Sequence, residues 1–258
     1  YDYDNEIDNY QQTHYQLHIT NKAIKKLKLN TSFHYTRGAG YFEQYVGTEH
    51  NSVMYNGDYA WGKNLLSYYN LDDVIISGDT ISQSNLIRRR WLDNHFYGLV
   101  FSADYTANKF NLILGGGGNQ YLGGHFGEVI WAQYASDGSI RHRYYDNDAT
   151  KNDLNLYGKL NYDLNKDFNA YLDLQYRFVS YEFTGLNNDR SPLDQTANLN
   201  FFNPKAGVNY RLNSSNNLYG FIGVGNKEPN RDDFTESSPE NRPQHEQLLD
   251  VEFGHRYT

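Results

Sequence analysis

The sequence predicts an all-β chain, folded as an antiparallel up-and-down transmembrane β-barrel. Three observations point there: apolar and polar residues alternate in paired runs, short turns alternate with long links, and the composition favours strands. Tyr occurs 25 times, Phe 14 times and Gly 22 times, while Cys is absent and Met occurs once. Aromatic residues suit a pleated surface, and glycine marks turns, bulges and close backbone approaches. No stretch reaches the roughly 18 consecutive apolar residues of a membrane-crossing helix, which excludes a helical membrane protein but not a barrel, whose strands need an apolar residue only at every second position.

The first hairpin is read from Tyr15, Leu17 and Ile19 against His14, Gln16 and His18, followed by Leu27, Leu29, Thr31, Phe33 and Tyr35 against Lys28, Asn30, Ser32 and His34. Alternation of period two is the signature of a strand with two unlike faces. A second hairpin runs from about Asn94 to Tyr105, turns over Thr106 to Lys109 and returns through Phe110, Leu112 and Leu114. The clearest pattern is the third, in which Leu154, Leu156, Leu160, Tyr162 and Leu164 alternate with Asn155, Tyr157, Lys159, Asn161 and Asp163. After Asn165-Lys166-Asp167 it resumes with Phe168, Ala170, Leu172, Leu174, Tyr176 and Phe178 on one face. A fourth hairpin joins Pro204–Leu212 to Leu218–Asn226, and a last strand, Glu246 to Tyr257, stands alone.

The remaining connections are long: 37–92, 119–150, 185–198 and 227–245. Outer-membrane barrels have short periplasmic turns and longer extracellular loops, whereas a sandwich has no such rule. The apolar rows carry no Lys, Arg, Asp or Glu, and the opposite rows carry Lys28, Lys159, Asp163, Asp173, Arg177, Lys205 and Arg211. A charge at the bilayer midplane would cost about 2–4 kcal/mol, so the charged rows are expected to face the lumen. Phe96, Val100 and Ile113 also fall on that face. Tyr35, Tyr105, Phe110, Tyr162, Phe168 and Tyr210 are placed for interfacial girdles. The rival architecture is a secreted, carbohydrate-binding β-sandwich, in which a second layer would cover the leucine rows.

Two stretches carry a family resemblance. One is Phe202-Asn203-Pro204-Lys205-Ala206-Gly207-Val208-Asn209-Tyr210, then Tyr219-Gly220-Phe221, then Asn226 to Phe234 (NKEPNRDDF), then Glu246 to Gly254 (EQLLDVEFG). The other is Leu114 to Gly118 with Gly124 to Trp131 (GHFGEVIW). In order and spacing these resemble late and middle barrel strands of TonB-dependent receptors, and with the hairpin rhythm the resemblance covers nearly the whole chain. It implies a barrel of twenty-two strands closed around an N-terminal plug. It also implies a TonB-type energy-coupling protein as partner, outer-membrane lipid around the wall, and uptake of a scarce small-molecule ligand such as an iron chelate (siderophore) or a vitamin. The chain shows no plug and no coupling motif, and opens at Tyr1 without initiator Met or signal peptide, so residues 1–258 are expected to form one partial barrel domain of about nine strands. A passive porin-like channel would share these strands without a plug.

For the site, no catalytic residue, metal ligand set or cofactor motif is expected. Gly115 to Gly118 is followed by no Lys-Ser/Thr and no helix, unlike a phosphate loop. His14, His18 and His34 share a face, and pairing of residues whose numbers sum to 48 would set His14 opposite His34. A hydrated wall is the preferred reading over a metal site, because no carboxylate joins them in register. Arg88, Arg89 and Arg90 precede a strand on the extracellular side, but alternation divides them between two faces. In the run Glu228 to Phe234, Arg231 is expected to pair with neighbouring carboxylates. Ligand contacts are expected from aromatic and Arg anchors: Trp61, Arg88, Arg90, Tyr121, His125, Phe126, Trp131, Arg143 and Arg231. The net charge of −8 with no basic stripe excludes nucleic acid as a partner.

Overall fold

A computed structural model describes residues 3–47, 53–55, 58–60, 65–135, 141–238 and 240–257. In chain order the elements are β1 (Ile7–Asn21), β2 (Leu27–Val46), β3 (Val53–Tyr55), β4 (Asp58–Ala60), α1 (Leu65–Tyr68), β5 (Val74–Ile76), β6 (Asp79–Ile81) and β7 (Leu86–Thr106). They continue as β8 (Phe110–Ala132), β9 (His142–Asp163), β10 (Phe168–Leu186), β11 (Pro192–Arg211), β12 (Asn216–Lys227), α2 (Arg231–Thr235) and β13 (Glu246–Tyr257). The sheet has nine strands in the order β1-β2-β7-β8-β9-β10-β11-β12-β13, and every pair is antiparallel. Two small hairpins, β3-β4 and β5-β6, lie within the first long connection.

The alternation of links holds, but the strands run well beyond the hydrophobic repeat. Short turns occupy 22–26, 107–109, 164–167 and 212–215, and the longer connections shrink to 47–85, 133–141, 187–191 and 228–245. The limits 37–92, 119–150, 185–198 and 227–245 are therefore corrected. A bilayer crossing needs only about 9–11 residues, whereas β8 has 23 and β9 has 22. The excess lies on the long-loop side, where both faces carry polar residues and the sequence loses its period.

One face of the sheet bears both short helices and is called inner; the other is outer. Outer residues of the lower half are apolar and exposed, among them Phe33, Phe101, Leu114, Leu156, Leu172, Leu174, Phe202, Ile222 and Phe253. Among the described residues no second layer covers them: Leu156 is 51% and Leu172 42% exposed, which removes the sandwich reading. The band ends below on aromatic pairs, Tyr105 with Phe110 (centroids 5.8 Å apart) and Phe168 with Tyr210 (6.0 Å). Above, it ends on a ladder of polar side chains at the outer surface. Tyr97 donates to Gln120, Gln120 to Asn152 (2.6 Å), Asn152 to Ser180 (3.2 Å), Tyr176 to Asn200 (2.6 Å) and Gln247 to Asn226 (3.1 Å). Past this ladder the outer face turns charged, with Arg37, Asp93, Asp148 and Glu182. From Tyr162 to Asn152 the chain rises about 33 Å, or about 25 Å along the normal for a strand tilted about 40°, the height of a barrel's hydrocarbon band.

Most inner positions of the lower half are polar and several are partnered across strands, as in Lys159–Asp173 (3.2 Å), although Phe96, Val100 and Ile113 share that face. The first hairpin pairs residues whose numbers sum to 50, not 48, because Asn21 opposite Leu29 closes the turn with Lys26 at φ +68°. His14 therefore faces Thr36, with Nδ1 2.9 Å from Oγ1, and His18 faces Ser32 at 2.8 Å. His34 packs on Phe96 with centroids 4.8 Å apart. The two small cores both lie on the upper inner face, where long connections fold back onto the wall.

Candidate functional site

The site is built where those connections meet the inner wall. After β12, Asn230 caps α2: its side chain accepts from Asp233 N (3.0 Å), while the Asp233 carboxylate accepts from Asn230 N (2.7 Å). This reciprocal pair satisfies free amides at the start of the helix. It also points Phe234 into the wall, beside Tyr181 (5.3 Å) and Phe183 (6.1 Å), in a core shared with Val179, Leu193 and Phe201. Glu228 fixes the start of the same connection. Its Oε1 takes Lys151 Nζ at 2.8 Å and Arg177 Nη2 at 2.9 Å, and its Oε2 accepts from Tyr181 at 2.7 Å. Arg177 also grips Asp153, with Nη2–Oδ2 at 2.5 Å. Burial alone would raise the Glu228 carboxyl; hydrogen bonds from Lys151, Tyr181 and Arg177 outweigh it and hold the carboxyl below the ordinary carboxylate range.

A second connection folds in from the other side. Leu66, Tyr69 and Leu71 around α1 pack on Leu86, Val129 and Tyr144. Tyr68 donates to Asn188 O at 2.9 Å, and Arg190 donates to Ser67 O, so the 47–85 and 187–191 connections touch.

Between the 187–191 and 228–245 connections and the wall lies a cleft of about 1160 Å³, bordered by Phe42, Arg90, His125, Tyr145, Asn147 and Arg231 among others. Arg231 donates to Asn147 Oδ1 at 3.0 Å and lies over the Phe183 ring at 5.4 Å. Burial lowers its pKa from the ordinary value. His125 lies five residues beyond Gln120, outside the membrane-crossing segment. Burial, then the charge of Arg231, brings its imidazole down to about 4 against an opposing hydrogen bond to Asn147, so it is neutral at physiological pH. Arg90 lies 5.4 Å from the Phe42 ring centroid and, among the described residues, has no hydrogen bond or ion pair.

Of the nine residues singled out from the sequence, the structure brings Arg90, His125 and Arg231 together at this cleft. Trp61 lies outside the described residues. Arg88 is engaged beneath α1, donating to Tyr69 (3.0 Å) and Gln44 (2.7 Å). Tyr121 is on the inner face, donating to Asn94 at 2.8 Å, and lines a neighbouring 730 Å³ cavity that includes His14, His18 and His34. Phe126, Trp131 and Arg143 are on the outer face. Phe126 stacks on Trp91 at 5.8 Å, Arg143 covers Phe126 at 3.7 Å and pairs with Asp146 at 2.7 Å, and Trp131 is 45% exposed opposite Ile87. Strand alternation separates Phe126 from its neighbour His125. The pairing expected for Arg231 is corrected as well: Glu228 makes the ion pairs, and Arg231 makes none among the described residues. Phe42, Tyr145 and Asn147 went unnoticed in the sequence; continuing β2 past Arg37 in register would have put Phe42 on the face of His34. Among the described residues no three His, Asp or Glu side chains gather as metal ligands.

A single antiparallel sheet with an exposed apolar band, short turns at one end and infolded long connections at the other is a sector of a large up-and-down barrel. No family model matches the chain, and no curated protein matches it. Solved structures do. The copper transporter OprC superposes with a TM-score of 0.64 at 12% identity over 96% of this chain and 37% of that one. The ferric citrate transporter FecA, unliganded, gives 0.58 at 13% over 97% and 33%. The ferric-catecholate import receptor Fiu from E. coli K12, in its closed form, gives 0.53 at 11% over 97% and 38%. The chain spans between a third and two fifths of the length of these proteins, and it folds as a sector of a TonB-dependent receptor barrel.

Proposed function

We propose that this chain is the central to late wall of an outer-membrane importer that takes up a scarce small-molecule nutrient, without chemistry on the ligand. The carrying observation is the division of the sheet: a lipid-height apolar band on the outer face and, above it on the inner face, a cleft closed by the long connections. Concave sites with a few convergent polar groups on a mostly fixed wall are where small ligands bind. The neighbours in fold are a copper transporter, a ferric citrate transporter and a ferric-catecholate import receptor, which supports transport as the shared task. In this reading the remaining strands complete a barrel of about twenty-two, an N-terminal plug fills it, and a TonB-type protein supplies the energy. A siderophore or other metal chelate is one class of cargo within it.

The test is a deletion strain grown on panels of iron, copper, vitamin and carbon sources, together with membrane fractionation. A growth defect on one nutrient, rescued by the full-length gene and dependent on the energy-coupling protein, is the expected result. Rescue without that dependence would favour a passive channel, and absence from the outer membrane would sink both.

A further inference from the structure

The cleft differs from the rest of the molecule in how it treats arginines that are partly buried; among the described residues Arg141, Arg211 and Arg256 also lack a side-chain partner, but they are exposed to solvent. Arg37, Arg89, Arg143 and Arg177 each hold a carboxylate at 2.5–2.7 Å. Arg88, Arg190 and Arg242 spend their guanidinium groups on hydrogen bonds to other protein groups. At the cleft, by contrast, Arg90 has no polar partner among the described residues and Arg231 has one neutral amide. Both act electrostatically on Tyr145, which lies between β8 and β10 on the inner wall. Asp189, which also borders the cleft, is turned into its own loop, accepting from Ser191 N at 2.9 Å and Ser191 Oγ at 2.5 Å. Asp8, Asp232 and Glu236 border it too, yet none pairs with either guanidinium.

Guanidinium groups are planar forks matched to carboxylate and phosphate, and a half-buried fork without an anion holds unused binding capacity. Neutral His125 beside Arg231 adds a donor or acceptor without adding charge. The fixed wall and the capped α2 hold both side chains in place, so little ordering remains to be done on binding.

From this geometry we infer that Arg90 and Arg231 are the specificity-determining pair of the cleft, and that its ligand presents carboxylate or phosphate oxygens to them. The inference rests on the importer reading and narrows it: neutral nutrients are excluded as the preferred cargo, and any metal enters inside an anionic chelate.

The test uses the full-length protein in detergent and an arginine-selective reagent, phenylglyoxal, with modification followed by mass spectrometry at each arginine. Pyrophosphate and citrate at millimolar concentration are expected to slow modification of Arg90 and Arg231 about tenfold, and neutral raffinose to have no effect. Arg90→Gln is expected to weaken anion protection of Arg231 about 10- to 100-fold, the worth of a charge-assisted contact, with Arg90→Lys in between. No protection by either anion, equal protection by raffinose, or equal protection of outer-face Arg143 would each overturn the pair's role. Because fractionation and growth report separately, a protein in the outer membrane that feeds on a neutral nutrient defeats this inference while leaving the importer standing.

Discussion

Arginine scanned along the outer row of β10 is the sharpest probe of what that face touches. The row runs Phe168, Ala170, Leu172, Leu174, Tyr176, Phe178, Ser180, from the lower aromatic pair to the upper polar ladder. Twelve residues at about 3.3 Å, tilted about 40°, climb about 30 Å. Leu174 is six residues from each end and so lies about 15 Å from either interface. Leu174→Arg is expected to cost about 2–4 kcal/mol, whereas Ala170→Arg and Ser180→Arg, near the two edges, cost about 0–1 kcal/mol. Gln175→Arg lies at the same depth on the opposite face. There it gives up a 3.0 Å hydrogen bond from Asn203, a loss of about 1 kcal/mol. The assay is urea unfolding of the full-length protein folded into lipid vesicles, with midpoint and slope both recorded. A cost that stays flat from 170 to 180, or Gln175→Arg costing as much as Leu174→Arg, would refute the lipid-facing assignment and the transport reading with it.

Glu228→Gln should loosen the connection 228–245 without unfolding the wall. Glu228 and Arg177 are 19% and 25% exposed and Asp153 still holds Arg177, so the loss is nearer about 1–3 kcal/mol than the full cost of a broken buried pair. It should raise amide hydrogen exchange in that connection about 10- to 100-fold, and unchanged exchange would remove the latch. The same carboxyl has a depressed pKa, so its contribution is present above the ordinary value of 4.5 and is lost only as pH falls through the lower folded value. Exchange corrected for its intrinsic rate should therefore be level from pH 8 to about 5 and rise only in stronger acid; a rise near neutrality would contradict this. Phe234→Ala should open the same connection through the lost contacts with Tyr181 and Phe183, by about 3–5 kcal/mol if the gap does not close; a change in exchange at β13 alone would contradict that path. Gly40→Ala should destabilise the first hairpin, since its Cβ would sit 2.1 Å from Asn9 O and 2.5 Å from Tyr10 Cα, whereas Gly124→Ala meets nothing closer than 3.6 Å and should be tolerated. Equal midpoints for the two in a urea titration would disprove the crowding.

The sequence was most legible where lipid constrains it. Between Leu154 and Leu164 a charge on the outer row is prohibitive and the inner row meets water, so the alternation is nearly complete and both strand and facing can be read. In 36–46, 86–93 and 142–150 the outer face meets water and the inner face meets the infolded connections. Arg37, Asp93 and Asp148 then replace leucine on the outer row, the period disappears, and alternation alone ends the strands short of their limits. The last strand, Glu246–Tyr257, was found at its actual limits because Leu249, Val251 and Phe253 keep the band to its end. The cleft was half legible for the same reason. Arg90 and His125 stand out as residue types, but which strand face each occupies depends on register through the hydrated half. Tyr145 and Asn147 have no mark of their own, and residue type alone joins Phe126 to His125 although neighbours on a strand point apart.

The two halves of each strand therefore solve different problems with one backbone. Below the Gln120–Asn152–Ser180 ladder, stability comes from matching hydrocarbon outside and pairing polar groups inside, as Lys159 and Asp173 do. Above it there is no lipid to reward apolar residues on the outer row, and the wall is held by contacts folded onto its inner row: Phe234 in its aromatic pocket, and Glu228 shared by Lys151, Arg177 and Tyr181. Those contacts also deliver Arg231 to the cleft, since capping by Asn230 and burial of Phe234 fix the helix that carries it. The cationic groups facing the cleft are thus an outcome of how the upper wall is stabilised. Arg177 is spent on holding the connection in place, and that leaves Arg231 free to meet a ligand.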